Sequence, residues 1–169
     1  MNLLKAIHTR HSIRFFTAEP VDDQRIEDII AAGMMACSAG NERPWHFIVI
    51  RQRKTLQAIS RSHLYATAVK RAPVAILVCG DLTQDKYDGY WVQDCAAATQ
   101  NMLLLAHNLG LGSVWIGLHP RSQRVADIRA IIPLPEHIVP FSILPLGYPA
   151  EVKINENRFN HGRIHYEKW

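Results

Sequence analysis

Arg10-His11-Ser12-Ile13-Arg14, read with a second run, Ser38-Ala39-Gly40-Asn41-Glu42-Arg43-Pro44-Trp45, decides what kind of chain this is. An Arg-x-Ser-x-Arg pattern sets two guanidinium forks and a hydroxyl close together, a donor-rich cluster suited to a phosphate and a polar chain. The second run adds a small hydroxyl, an amide and a rigid Pro-Trp. Either run alone is ordinary, because Arg-x-Ser-x-Arg is common on solvated helix ends and Ser-Ala-Gly-Asn is plain loop chemistry. Their order with Gly110-Leu111-Gly112-Ser113-Val114-Trp115-Ile116-Gly117, Leu146-Gly147-Tyr148-Pro149 and Arg158 makes them informative.

The 169 residues, 48% of them hydrophobic, suit one compact domain over residues 1–169. No apolar stretch reaches membrane-spanning length, and Met1-Asn2-Leu3-Leu4-Lys5 lacks the apolar segment of a signal peptide, so a cytoplasmic location with no membrane partner is expected. Cys37, Cys79 and Cys95 are odd in number and set among apolar neighbours, which predicts buried thiols rather than disulfides. The net charge of +4 permits a nucleic-acid partner, yet the basic residues are scattered among acidic ones without aromatic interleaving, which argues against one.

Periodicity places helices at residues 3–9, from Asp22 or Asp23 to near Ser38, at 54–62, 90–108 and 121–131. Strands are expected at 45–50, 73–79, 113–116 and 138–146. The unbroken apolar run Pro73-Val74-Ala75-Ile76-Leu77-Val78-Cys79 reads as a central strand covered on both faces, and the helix at 90–108 is apolar around most of its circumference. Periodicity alone leaves α+β and α/β open.

Carried by these ordered motifs, the chain resembles the nitroreductase family of FMN-dependent oxidoreductases; Arg43 stands where that family has Gln. The resemblance implies an α+β nitroreductase fold: a mixed central β-sheet flanked by helices, in an intertwined homodimer with residues 148–169 as a wrapping arm. It also implies FMN as cofactor, with NADH or NADPH as reductant. The matching positions are Arg10 and Arg158 for the phosphate, His11 and Ser12 beside it, and Arg14 near the pyrimidine end of the flavin. Asn41 would meet the ring edge, Ser38 would reach the cofactor from a partner subunit, and Ile116, Gly117 and Leu118 would bring main chain to the redox-active ring nitrogen. Glu156 replaces a lysine frequent in the family.

No side chain is expected to act as nucleophile or general base, since the flavin carries the hydride chemistry. The implied activity moves hydride from NAD(P)H through FMN to a small-molecule acceptor, nitroaromatic, quinone or related, by a ping-pong scheme. A specialised flavin dehydrogenase or dehalogenase and a non-catalytic FMN sensor or storage protein are the alternatives. Gly110-Leu111-Gly112 precedes a strand and is no Rossmann fingerprint. His161 and His165 have no completing ligand, so no metal is expected. Tyr87, Tyr90 and Trp91 are candidates for the wall of an acceptor pocket or for packing.

Overall fold

A strand with no solvent-facing side sets the layers. In a computed structural model describing residues 2–169, β2 (Val74–Asp81) is buried at every position. Val74, Ile76 and Val78 enter one hydrophobic cluster, whereas Ala75, Leu77 and Cys79 enter another, as the two-residue period of a strand requires. The first cluster is closed by α2 (Asp23–Met34) and α4 (Trp91–Asn108), the second by α3 (Arg53–Ser62), a 3₁₀ stretch at Leu64–Arg71, and α5 (Ser122–Ile131). The expected α+β architecture is therefore present, with α1 (Leu3–Thr9) lying against α4.

β1 (Trp45–Ile50) pairs with β2, and β2 with β5 (Ile138–Gly147). Along the other edge of β5 run β3 (Gly112–Ser113) and β4 (Ile116–Gly117), two short pieces in one continuous register: Ser113 faces Leu146 and Gly117 faces Ser142. Every strand pair is antiparallel, which corrects the mixed sheet expected from sequence; the parallel element among the described residues is an isolated bridge between Ser12 and Ser113. The reason lies in the connections. Ile50 ends β1 opposite Ala75 near the start of β2, so α3 and the 3₁₀ stretch leave and re-enter the sheet at the same end, which apolar periodicity cannot reveal.

Local chemistry fixes the helix ends. Asp22 caps α2 by accepting the Arg25 N–H at 2.9 Å. Gly110, at φ +81°, closes α4 in a left-handed turn: its N–H donates to His107 O at 3.0 Å and the Leu111 N–H to Ala106 O at 2.9 Å. α2 stops at Met34 rather than near Ser38, and Cys37 on the loop beyond it is exposed, while Cys79 and Cys95 are buried as expected. Burial pushes the Cys79 thiol up to about 12, leaving it an inert packing group.

α4 buries Trp91, Asp94, Cys95, Ala98, Thr99, Met102, Leu103 and Ala106. Its remaining apolar side is not closed within the chain: Leu104 and Leu105 line a groove of about 500 Å³ with Leu3, Ala6, Ala32 and Met35, and Leu3 and Met35 are 69% and 81% exposed. Beyond Ala150 the chain runs out with Val152, Ile154, Tyr166 and Trp169 each more than four-fifths exposed.

At Gly80 a β-carbon would sit 2.2 Å from Cε3 of the buried Trp91 ring. Gly80→Ala is expected to destabilise the fold by about 1–3 kcal/mol through overpacking, read as a lower urea midpoint with unchanged slope.

Candidate functional site

Two arginines far apart in sequence meet at the end of α1. Arg10 is the C-cap residue of that helix, its N–H donating to Ala6 O at 3.0 Å, and Arg158 returns from the C-terminal segment to line the same cavity of about 320 Å³. Burial, then the positive charge of Arg158, lowers the affinity of Arg10 for its proton. Among the described residues neither guanidinium has an ion-pair partner, although Glu156 lines the cavity. Two neighbouring cations, Arg10 partly buried and Arg158 exposed, with no ion-pair partner among the described residues repel each other, and an anion between them relieves that repulsion.

From Arg10 the chain continues extended. Ser12 bridges Ser113, and the Ile13 N–H donates to Ser113 O at 2.9 Å. Alternation separates His11 and Ile13, which line a second cavity of about 440 Å³ with His107 and Glu151, from Arg10. The His11 side chain thus lines a different cavity from the arginine pair. Arg14 is exposed; its N–H donates to Glu151 Oε1 at 2.5 Å and its guanidinium to Ser12 O at 3.4 Å. Burial pushes the Glu151 carboxyl up, but the Arg14 and Phe15 N–H groups and Lys153 outweigh it and hold the carboxyl below its ordinary value.

Ile116, Gly117 and Leu118 follow from Ser113 along the edge of β5. Ser113 and Gly117 are about 13 Å apart at the rise of a strand, a span within the reach of one flavin mononucleotide. A β-carbon on Gly117 would meet only Trp115 Nε1, at 3.9 Å, so one side of this main chain is open. Arg124 donates to Gly117 O at 2.9 Å and Leu118 N–H to Phe141 O at 3.0 Å, fixing the peptide planes.

Ser38 and Asn41 lie elsewhere. Their loop enters β1 at Trp45, which faces Gly80 and through it Val139, whereas Ser12 faces Ser113 and through it Leu146. Four strand steps across and the length from Val139 to Leu146 along β5 separate Trp45 from Ser12 by about 30 Å. Within one chain the structure brings together Arg10, Ser12, Arg14, Arg158 and residues 116–118, and leaves Ser38 and Asn41 at the opposite corner of the sheet. The loop itself is tightly built. Ser38 Oγ accepts the Arg43 N–H at 3.1 Å, Asn41 Oδ1 accepts from Arg43 Nε at 2.9 Å, and Asn41 and Arg43 both have positive φ, 59° and 50°.

Sequence reasoning missed Glu42 and Asp94, buried carboxyls beneath this loop. The available signal was Asp94 itself, an acid in the otherwise apolar Asp94-Cys95-Ala96-Ala97-Ala98 of α4. Of the aromatic candidates, Trp91 is core, packed edge-on to His119 and Phe141, while Tyr87 lies over Gly40. Among the described residues no group of three or more ligands could hold a metal ion, and no helix is long and apolar enough to cross a membrane.

The Nitroreductase family profile matches residues 7–64 and 52–148. The chain belongs to the nitroreductase family. It is 51% identical, over all of its length and 88% of the relative's, to a Methanothermobacter thermautotrophicus protein provisionally named NADH dehydrogenase/NAD(P)H nitroreductase. A crystal structure from Parabacteroides distasonis, given the same provisional name, superposes with a TM-score of 0.95 at 37% identity over 100% of both chains. Another, a provisionally named nitroreductase from Desulfovibrio desulfuricans solved in complex with FMN, gives 0.86 at 30% identity, covering 100% of this chain and 98% of the other. The unneutralised arginine pair, a hydroxyl beside it and an open main-chain edge about 13 Å on are a donor set that fits a phosphorylated flavin.

Burial lowers the proton affinity of His63, His107 and His119, reinforced at His63 by Arg124 and at His107 by Arg10 and His11. A depressed histidine stabilises the fold while neutral, so this contribution is present above the ordinary value of about 6.5 and lost as pH falls below it. The FMN-free protein is expected to unfold at progressively lower temperature as pH drops through that range. His63→Gln should flatten the slope in calorimetry, because both His63 ring nitrogens are buried without a partner.

Proposed function

We propose that the protein is an FMN-dependent oxidoreductase that takes hydride from NADH or NADPH and reduces a small acceptor, nitroaromatic, quinone or related, in a ping-pong cycle. The observation that carries the reading is the Arg10–Arg158 pair, two converging guanidinium groups with no counter-ion among the described residues. These two would grip the phosphate by charge-assisted, bidentate hydrogen bonds, with Ser12 as a further donor and the His11 backbone beside it. Arg14 would face the pyrimidine end, where negative charge gathers on reduction, and the Ile116, Gly117 and Leu118 main chain would border the ring. Bound FMN supplies the hydride acceptor and donor chemistry; the chain supplies grip, orientation and charge.

The same reading takes the protein as a homodimer of single-domain chains with two shared flavin sites, located in the cytoplasm. The open apolar groove along α4, the exposed apolar side chains after residue 150, and the distance of Ser38 and Asn41 from Arg10 all favour a second copy. Residues 148–169 would wrap that copy, and its Ser38 and Asn41 would complete the flavin site. This goes with the absence of nucleic-acid signatures in the sequence.

Purified protein is expected to release FMN, not FAD, on denaturation. Arg10→Ala and Arg158→Ala should each weaken FMN binding by ~1.5–3 kcal/mol in titrations of the FMN-free protein, the range for hydrogen bonds to charged groups. Unaltered affinity in both variants would remove the phosphate role. Initial rates over a grid of NAD(P)H and acceptor concentrations should give parallel double-reciprocal lines; intersecting lines would favour a specialised dehydrogenase instead.

A further inference from the structure

Glu42 and Asp94 are 6% and 5% exposed where residues 38–43 and the segment before α4 meet its first turn. Each has one oxygen occupied. Asp94 Oδ1 accepts the Ala39 N–H at 3.0 Å, and Glu42 Oε2 accepts the Lys86 N–H at 2.9 Å. The other two oxygens, Asp94 Oδ2 and Glu42 Oε1, are buried with no donor, although the two carboxyls lie within hydrogen-bonding reach of each other. Among the described residues neither has a cationic partner, and the charged group facing them from the preceding segment is a third acid, Asp85, with its own Oδ1 buried and unpaired. Two neighbouring carboxylates in such surroundings disfavour each other's charge, and one proton between them satisfies both orphaned acceptors at once.

We propose that Glu42 and Asp94 share one proton, held between Glu42 Oε1 and Asp94 Oδ2, and that this acid pair is the latch that positions the loop bearing Ser38 and Asn41. Through Ala39 N–H and Lys86 N–H the pair ties that loop and the segment before α4 to the helix. Tyr87 closes the same joint from above, since a β-carbon on Gly40 would fall 2.2 Å from its hydroxyl. The loop needs holding, because Asn41 and Arg43 sit in a backbone region that costs non-glycine residues energy.

The charge balance runs the right way. Burial pushes the Asp94 carboxyl up, the Ala39 N–H pulls it down, and hydrogen bonding to Glu42 with the charges of Glu42 and Asp85 pushes it up again, for a net rise. A carboxyl raised in the folded state stabilises the fold while protonated and loses that contribution as pH rises through its folded value. The latch is therefore closed at low pH and opens as pH rises through the folded value of Asp94. Its consequence for the cofactor rests on the flavin reading above: the closed fraction sets the apparent FMN affinity.

Two readouts on the full-length protein test it. In infrared spectra of the FMN-free protein recorded as pH rises from acid, wild type should keep a protonated carboxyl band after the ordinary carboxyls have ionised, and that band should be absent from Asp94→Asn and Glu42→Gln. No such band in the wild type overturns the shared proton whatever the protein binds. In FMN titrations over a rising pH series, wild-type affinity should fall by about tenfold per pH unit above the folded value of Asp94. Asp94→Asn should hold a flat profile, its amide nitrogen donating permanently to Glu42 Oε1 while Oδ1 keeps the Ala39 N–H. Identical profiles in wild type and Asp94→Asn overturn the latch. Failure of every form to bind FMN strikes the flavin reading instead, and the infrared band then decides the latch alone.

Discussion

Burial of β2 and β5 on both faces is the constraint from which the rest of the molecule follows. Alternate residues of β2 supply two separate cores, so helices must cover both sides of the sheet: α2 and α4 on one, α3, the 3₁₀ stretch and α5 on the other. With its faces closed, the sheet offers only edges and ends for function. The candidate site occupies the outer edge beyond β5, where Ser12, Ser113 and Gly117 align, and the arginine pair closes it at the end of α1.

Electrostatics then divides the molecule into two unlike corners. At one, Arg10 and Arg158 lie together with no ion-pair partner among the described residues, an arrangement that gains from an anion. At the other, Glu42, Asp85 and Asp94 gather with no ion-pair partner among the described residues, and Asp94 holds its proton more tightly for it. α4 joins them: Asp94 lies in its first turn and His107, whose Nε2 is 2.8 Å from Thr9 Oγ1 beside Arg10, in its last, about 20 Å further along the axis. The same helix keeps an open apolar side, so a second copy docked there would meet both corners.

Sequence periodicity was most reliable where burial is one-dimensional. The strand at 45–50, the fully apolar β2 and the long α4 are all where alternation or helical spacing places them, and Gly110 ends α4 as its position suggests. Strand direction was not legible, because an antiparallel return through α3 and a parallel crossover carry the same local pattern. Cys37 misled for a related reason: its apolar neighbours Met34 and Met35 face outward, at 52% and 81% exposure, rather than into the core. In the candidate site, Arg10 and Arg158 line one cavity despite their distance in sequence. The wide separation of Asn41 from Ser12 is a tertiary fact that spacing along the chain cannot encode. Glu42 and Asp94 escaped notice because a buried acid is recognised by what surrounds it.

A flavin site built from the arginine pair of one copy and the Ser38–Asn41 loop of another would be rebuilt by subunit complementation. Arg10→Ala protein and Asn41→Ala protein, each weak in FMN binding alone, would be unfolded together, refolded as a mixture and titrated with FMN. A site shared between copies predicts that mixed dimers recover one intact, tight site each, made of the unaltered arginines of one chain and the unaltered loop of the other. If the mixture forms dimers yet binds FMN no better than either variant alone, the shared site is wrong.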